Sequence, residues 1–174
     1  MKTERILMAG AGGQGVILLG KLLATIALDH VRHVTFLPSY GAEVRGGTSN
    51  CQIILAGEPI ASPAAERFDS VLVMNQASTD RFLRRLAPRG LAIVNRSMST
   101  VPPASRAVQI RATEVADKRG DTRAANFVML GAWVARRQVL PIDSVQAGIR
   151  SFLADRSPGF LDVNIRAFTA GLTA

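Results

Sequence analysis

Cysteine is almost absent from this sequence of 174 residues, which contains Cys51 alone. A single thiol excludes an internal disulfide, a four-cysteine iron–sulfur site and a structural zinc site. Cys51 begins the apolar run Cys51-Gln52-Ile53-Ile54-Leu55, so we expect a buried thiol that packs as a small hydrophobic side chain. The pair His30-x-x-His33 supplies too few ligands for a metal ion by itself. We therefore predict no metal site.

Long apolar runs are also missing from the sequence. No run approaches the length that spans a bilayer. The opening Met1-Lys2-Thr3-Glu4-Arg5 leads directly into a strand-like segment, which argues against a signal peptide. We expect a cytoplasmic protein without a membrane partner.

Acidic and aromatic residues are scarce. The sequence has 13 acidic against 21 basic residues, a formal net charge of +8, and aromatic residues make up 5%. Nucleic-acid-binding proteins concentrate positive charge in a patch, often with aromatic side chains for stacking, whereas these basic residues are scattered along the chain. The charge therefore favours an anionic ligand or an acidic partner subunit over nucleic acid.

The residues that are present predict a single domain over residues 1–174. Hydrophobic residues make up 48% of the sequence and charged residues 20%, which is typical of a globular domain rather than a disordered chain. The sequence has no linker, repeat or low-complexity segment that would divide it.

Hydrophobic periodicity predicts alternating strands and helices, the pattern of an α/β fold. A strand at 6–9, a glycine-rich turn, a helix at 16–28 and a strand at 33–37 form a β-α-β unit. Further strands are predicted at 50–56, 70–74, 91–95 and 107–112, and further helices at 81–86, 126–137, 141–153 and 164–171. Ser78-Thr79-Asp80 is expected to cap the helix at 81–86 and Pro88-Arg89-Gly90 to end it. We predict a three-layer α/β/α, Rossmann-like fold with a mostly parallel sheet and an antiparallel excursion around residues 50–60.

The first turn contains Gly10, Gly12 and Gly15, which match the G-x-G-x-x-G pattern of a dinucleotide-binding site. Such a site also needs an acidic residue about twenty positions further on, to bind the ribose. The strand that should carry this acid ends in Leu37-Pro38-Ser39-Tyr40 and offers no carboxylate. The alternatives are a freestanding NAD(P)- or flavin-dependent oxidoreductase, a module that binds an anionic metabolite, and a turn that only packs a helix on a sheet.

A second glycine-rich segment covers residues 38–51, and its residues 39–48 have neither helical nor strand periodicity. It reads Pro38-Ser39-Tyr40-Gly41-Ala42-Glu43-Val44-Arg45-Gly46-Gly47-Thr48-Ser49-Asn50-Cys51. Ligands of open α/β sheets bind outside the carboxyl ends of the strands. We therefore place this segment at that edge, beside the first glycine turn.

Together with Gly10-Ala11-Gly12-Gly13-Gln14-Gly15, this segment resembles the gamma subunit, or gamma domain, of the 2-oxoacid:ferredoxin oxidoreductases. Residues 38–47 look most like the gamma subunits of 2-oxoglutarate-type enzymes. The resemblance covers essentially the whole chain and continues at 60–63, 69–75, 126–132 and 164–168.

The resemblance implies a subunit of an oxidoreductase that acts on the oxo group of its donor and has an iron–sulfur protein as acceptor. The family decarboxylates a 2-oxo acid on thiamine diphosphate, transfers the acyl group to coenzyme A and passes electrons through iron–sulfur clusters to ferredoxin or another acceptor. Among substrates, the resemblance favours 2-oxoglutarate over pyruvate or a branched-chain 2-oxo acid.

The resemblance also implies that this chain alone binds no cofactor. Thiamine diphosphate, Mg and the iron–sulfur clusters would lie on the alpha and beta subunits and, where present, on a ferredoxin-like delta subunit. The lone cysteine agrees with this, as does Arg119-Gly120-Asp121-Thr122, which lacks the Gly-Asp-Gly of a thiamine diphosphate motif. The chain is then not expected to be active alone, and a homodimer of the isolated chain stays open.

From the resemblance we expect both glycine-rich segments to face coenzyme A or a partner subunit, and no residue of this chain to be catalytic. Since coenzyme A carries several phosphates, a helix N-terminus and Arg45 are natural contacts. Arg45 could instead form a local ion pair with Glu43 that orders the loop, and Tyr40 could pack against a partner subunit. The expected site residues are Gly10, Gly12, Gly13, Gln14, Gly15, Tyr40, Gly41, Glu43, Arg45, Gly46 and Gly47.

Overall fold

The computed structural model describes residues 2–39 and 48–174. In these ranges the strands are β1 (Glu4–Ala11), β2 (His33–Ser39), β3 (Thr48–Ala56), β4 (Phe68–Val73), β5 (Leu86–Asn95) and β6 (Val108–Ile110). The α-helices are α1 (Val16–Ala27), α2 (Gln76–Phe82), α3 (Ala112–Asp117), α4 (Ala125–Arg137), α5 (Ile142–Phe152) and α6 (Pro158–Gly171). Two short 3-10 helices cover Leu83–Arg85 and Thr122–Ala124.

The six strands form one mixed sheet in the order β2-β3-β1-β4-β5-β6. β1, β4, β5 and β6 are parallel neighbours, while β3 is antiparallel to both β1 and β2. The predicted mostly parallel sheet with an antiparallel excursion is therefore confirmed. β3 lies between the two strands of the predicted β-α-β unit, so β1 and β2 run in the same direction without touching.

Helix α1 packs on the sheet because its apolar side chains recur at helical spacing. Leu19, Leu22 and Leu23 are buried against it. A Cβ on Gly20 would collide with the Cys51 sulfur of β3, so glycine is what allows the helix to approach this closely. Cys51 is fully buried, as predicted.

The two faces of the sheet are covered unequally. One face supports the main core, to which α1, α3, α4, α5 and α6 contribute; Phe127 and Trp133 of α4 are both buried in it. The other face carries a small cluster in which Phe82 of α2 packs on Phe68 and neighbouring side chains. The predicted three layers are present, but the second helical layer is thin.

The helix predicted at 81–86 is wrong in both its boundaries. Helix α2 begins earlier, at Gln76, because the Asn75 side chain accepts a hydrogen bond from the Ser78 backbone N–H at 3.0 Å. Pro88-Arg89-Gly90 does not end a helix but lies within β5, where the pairing with β4 shifts register. The prediction took turn-forming residues as a helix end, whereas the neighbouring strand accommodates them in a bulge.

Candidate functional site

The glycine turn lies at the carboxyl end of β1 and leads into α1, as predicted. Gly13 and Gly15 have φ values of 89° and 71°, a left-handed conformation that favours glycine. A Cβ on Gly15 would also lie 2.5 Å from the Asn126 side-chain nitrogen, which donates a hydrogen bond to the Gly15 carbonyl at 3.2 Å. Gly15 therefore fixes the contact between this turn and the start of α4.

Gln14 closes the turn from within. Its side-chain oxygen accepts a hydrogen bond from the Ala11 backbone N–H at 2.7 Å, and its own backbone N–H donates to the Ala11 carbonyl at 3.2 Å. A Cβ on Gly10 would lie 2.7 Å from that same side-chain oxygen. Gly10 and Gln14 thus shape the turn, and their contacts in the structure are internal.

Gly12 and Gly13 are the open part of the turn. Both are exposed, and a Cβ built on either one meets no atom within 4 Å. Helix α1 follows the turn. Among the described residues, no side chain caps its N-terminus, and its first turn contains no acidic residue. Its first N–H groups therefore keep their hydrogen-bonding capacity and the partial positive charge of the helix end. This end of the turn can accept a negatively charged group.

Two cavities flank the turn and meet at Gly13 and Arg123. One has a volume of about 210 Å³ and includes Met74 and Met98; the other, of about 150 Å³, includes Asn126 and Asn164. Met98 is half exposed although it is apolar. A ligand at the turn would therefore meet an apolar side chain as well as exposed backbone.

Arg123 lines both cavities at the turn and was not predicted from the sequence. Its side chain is 78% exposed, and its guanidinium forms an ion pair with Asp121 at 2.6 Å. The Asp121 carboxylate also accepts a hydrogen bond from the Arg123 backbone N–H at 2.8 Å, which caps the 3-10 helix before α4. The side-chain hydrogen bond from Arg123 lowers the pKa of Asp121 and raises that of Arg123. Both groups are charged at neutral pH, and the pair holds a cation beside Gly13.

The structure brings together the five predicted site residues of the first segment: Gly10, Gly12, Gly13, Gln14 and Gly15. The other six lie outside the described residues: Tyr40, Gly41, Glu43, Arg45, Gly46 and Gly47. The described residue Thr48, which follows them, pairs with Ala11 at the start of the turn. The second glycine-rich segment is thus joined to β3 at the carboxyl edge of the sheet.

The described part of the chain offers neither a cluster of metal ligands nor a helix that could span a membrane. Residues 2–39 and 48–174 contain no group of three or more His, Cys, Asp or Glu side chains arranged to hold a metal ion. Within the same ranges, every helix is too short or too polar to cross a bilayer.

Comparison with known sequences identifies the family. The family model described as pyruvate ferredoxin/flavodoxin oxidoreductase matches residues 5–174. Ketoisovalerate oxidoreductase subunit VorA of Methanothermobacter thermautotrophicus is 37% identical over 169 residues, which are 96% of this chain and 35% of the relative. The chain thus spans about a third of the length of that relative. 2-Oxoglutarate synthase subunit KorC of Methanothermobacter marburgensis is 31% identical over 178 residues, 97% of this chain and 94% of the relative.

Solved structures show the same fold. The gamma subunit of a keto/oxoacid ferredoxin oxidoreductase from Geobacter sulfurreducens is 27% identical, with a TM-score of 0.84 over 99% of this chain and 96% of its own. A 2-oxoglutarate:ferredoxin oxidoreductase from Magnetococcus marinus, 20% identical, has a TM-score of 0.87 over 99% of this chain and 31% of its own. The resemblance to gamma subunits inferred from the sequence is confirmed, and this chain belongs to the pyruvate ferredoxin/flavodoxin oxidoreductase family.

Proposed function

We propose that this chain is the gamma component of a multi-subunit enzyme that oxidatively decarboxylates a 2-oxo acid. The products would be an acyl-coenzyme A and carbon dioxide, and the electrons would pass to ferredoxin or another acceptor. The observation that carries this proposal is the family match, which extends from residue 5 to residue 174. The relatives support it, since the chain corresponds to nearly all of a subunit in KorC and to a third of a longer polypeptide in VorA.

The part assigned to this chain is to bind and orient coenzyme A at the carboxyl edge of its sheet. Gly12 and Gly13 let a phosphate approach the backbone, and the uncapped N-terminus of α1 favours its negative charge. The Arg123 guanidinium, held by Asp121, offers charge-assisted hydrogen bonds to a second anionic group. Companion subunits would supply decarboxylation and electron transfer through their thiamine diphosphate, Mg and iron–sulfur clusters.

The second glycine-rich segment has the same proposed orientation. Tyr40, Glu43 and Arg45 would face coenzyme A or a companion subunit, since Thr48 beside them pairs with Ala11 at the glycine turn. An Arg45→Ala variant in the assembled complex separates the two proposed roles of this arginine. A raised half-saturation concentration for coenzyme A indicates ligand contact, and an unchanged one leaves Arg45 with a local ion pair.

The substrate proposed from the sequence is 2-oxoglutarate. KorC relatives carry that activity in their name, whereas the VorA relatives, at higher identity, are named for ketoisovalerate. Both acids share the carboxylate and the 2-oxo group on which the chemistry acts, and they differ in the side chain. A substrate panel must therefore include both, with pyruvate as a third.

Reconstitution with companion chains tests the proposed function. The chain would be expressed with the chains of its native complex, and reduction of a low-potential acceptor would be followed with each 2-oxo acid. We expect coenzyme A-dependent reduction only when this chain is present with its companions. Oxidation of a 2-oxo acid by the purified chain alone would contradict the proposal.

The freestanding dinucleotide-dependent oxidoreductase is tested separately by thermal unfolding. A ligand present at 100 times its dissociation constant stabilises a folded protein by about 2.7 kcal/mol. We expect NAD, NADP and FAD to leave the unfolding temperature of the isolated chain unchanged. Strong stabilisation by any of them would favour the alternative, because the glycine turn would then serve as a dinucleotide site.

A further inference from the structure

The amino edge of the sheet, opposite the glycine turn, contains a buried carboxylate whose charge is already balanced. Glu4 of β1 is 5% exposed and forms an ion pair with Arg137 at the end of α4. It also accepts a hydrogen bond from the Ser70 hydroxyl at 2.6 Å, and that hydroxyl accepts one from the Trp133 indole at 2.8 Å. The hydrogen bond to Glu4 raises the pKa of Arg137. The charges of Glu4 and Arg137 therefore neutralise each other.

The second carboxylate at this edge is also satisfied. Asp69 accepts a hydrogen bond from the Arg5 backbone N–H at 3.0 Å and forms an ion pair with the Arg5 guanidinium at 3.4 Å. Glu4 and Asp69 are thus each paired with an arginine, and the charge of Asp69 also helps to raise the pKa of Arg137.

Glu4, Asp69 and Arg137 line a concave surface of about 400 Å³ together with two further cations, Lys2 and Arg89. Both are exposed, and within residues 2–39 and 48–174 neither forms an ion pair. Arg89 lies in the bulge of β5, where the pairing passes from Phe68↔Leu86 to Ser70↔Leu91. Bulges of this kind redirect side chains, and this one brings Arg89 to the concavity.

The basic character continues beyond the concavity. Arg67, just before β4, donates a hydrogen bond to the Arg84 carbonyl at 2.6 Å and forms no ion pair in the described part of the chain. No aspartate or glutamate occurs between residues 81 and 111, whereas arginine occurs at 81, 84, 85, 89, 96, 106 and 111. Around the amino ends of β4 and β5, the cations Arg67, Arg84, Arg85 and Arg89 thus outnumber the carboxylates Glu66 and Asp69.

We infer that this concavity, with Lys2 and Arg89 at its rim, is a docking site for a carboxylate-bearing segment of a companion subunit. The inference rests on the proposed function, which gives this chain companions. An acidic protein segment fits this open surface because its carboxylates would supply the counter-charges that Lys2 and Arg89 lack. Protein contact is favoured over nucleic acid because the described lining residues include no aromatic side chain for base stacking. In VorA the counterpart of this chain is 35% of a longer polypeptide, so this unit has further protein around it there.

The test compares two variants in the complex with the native companion chains. One is the double substitution Lys2→Glu with Arg89→Glu. The control is Arg156→Glu, which changes an exposed arginine in the loop between α5 and α6. Assembly is measured by sedimentation over a range of salt concentrations, thermal unfolding of each isolated variant checks the fold, and the ratio of absorbance at 260 and 280 nm reports bound nucleic acid.

We expect the double variant to assemble about tenfold or more weakly than the wild type and Arg156→Glu to assemble normally. Salt should weaken wild-type assembly more than assembly of the double variant. Assembly of the double variant at wild-type strength overturns the inference and leaves the proposed function standing. Failure of the wild type to assemble overturns both. Bound nucleic acid that is lost only in the double variant overturns the inference in favour of nucleic-acid binding.

Discussion

The two edges of the sheet each carry an arginine–carboxylate pair, and they use it in opposite ways. At the amino edge, Glu4 is 5% exposed and Arg137 27%, and the pair is tied to Ser70. At the carboxyl edge, the Arg123 side chain is 78% exposed, and within residues 2–39 and 48–174 it pairs only with Asp121, its near neighbour in sequence. Burial makes it costly to remove either partner of the first pair alone, because the other charge is then left unpaired. Exposure leaves the second cation accessible to a ligand.

The largest effect on stability is expected for Arg137→Met at the amino edge. It leaves the Glu4 carboxylate buried without its partner, and we expect a loss of about 3–5 kcal/mol in the free energy of unfolding. Urea unfolding of the isolated chain measures it. Adding Glu4→Gln removes the unpaired charge and should recover part of the loss. If Arg137→Met lowered the free energy of unfolding no more than a substitution at an exposed position does, water would have to reach Glu4.

The next largest effect is expected at the glycine turn. Gly15→Ala forces a side chain into a left-handed conformation and against Asn126, so it should cost about 1–3 kcal/mol. Gly12→Ala is the matched control, because a Cβ there meets open space, and we expect a change within about 0.5 kcal/mol. Equal losses at both positions would contradict the division of the turn into a packed and an open part.

The titration and reactivity of the Cys51 thiol test whether the core behind the turn excludes solvent. Burial raises the pKa of its thiol to about 12 from an ordinary 9.0. The unfolded thiol therefore ionises first as the pH rises, and the stability that the native thiol contributes is lost between those two values. At pH 10 this loss is about 1.4 kcal/mol.

The measurement for Cys51 is urea unfolding at pH 8 and pH 10, with Cys51→Ala as the reference that lacks the titrating thiol. A thiol reagent at pH 8 should react with Cys51 only in denaturant. Rapid reaction with the native chain would show that the packing of α1 on β3 opens.

The smallest expected effect on stability is that of Arg123→Ala. Exposed ion pairs contribute little to stability, so the urea midpoint at neutral pH should stay the same. The pKa of Asp121, lowered mainly by the side-chain hydrogen bond from Arg123, should rise toward its ordinary value. Carboxyl-carbon NMR titration measures this shift. A lowered pKa of native Asp121 stabilises the fold only at pH values above the pKa of the unfolded carboxyl group. Any small loss in the free energy of unfolding of the variant would therefore appear above that pH and vanish in acid.

Local sequence patterns predicted the elements that depend on near neighbours. The glycine turn and helix α1 follow from residues within one β-α-β unit, and the burial of Cys51 follows from the apolar run 51–55 in which it lies. Arg123 could not be found in this way, because its place beside Gly13 depends on how α4 docks on the turn. Asn126, which makes that contact, is 111 residues from Gly15 in the chain. The available signal was Asp121 as a cap before an apolar helix.

The β5 bulge is a second feature that local sequence patterns could not predict. Pro88-Arg89-Gly90 carries the usual residues of a chain turn. The pairs on either side of it, Phe68↔Leu86 and Ser70↔Leu91, keep the segment in the sheet. A Cβ on Gly90 would lie 3.0 Å from the Asp69 carbonyl, a contact between strands that no local pattern contains. Local propensity was overridden by tertiary packing.

We propose that the carboxyl edge of this sheet faces coenzyme A, while the amino edge stabilises the fold and binds companion subunits. The most direct test is the half-saturation concentration for coenzyme A of the assembled complex that carries Arg123→Ala, with Arg156→Ala as the control. Loss of a charge-assisted hydrogen bond should raise it about tenfold or more, and the control should match the wild type. An unchanged value in the Arg123→Ala complex would contradict the account.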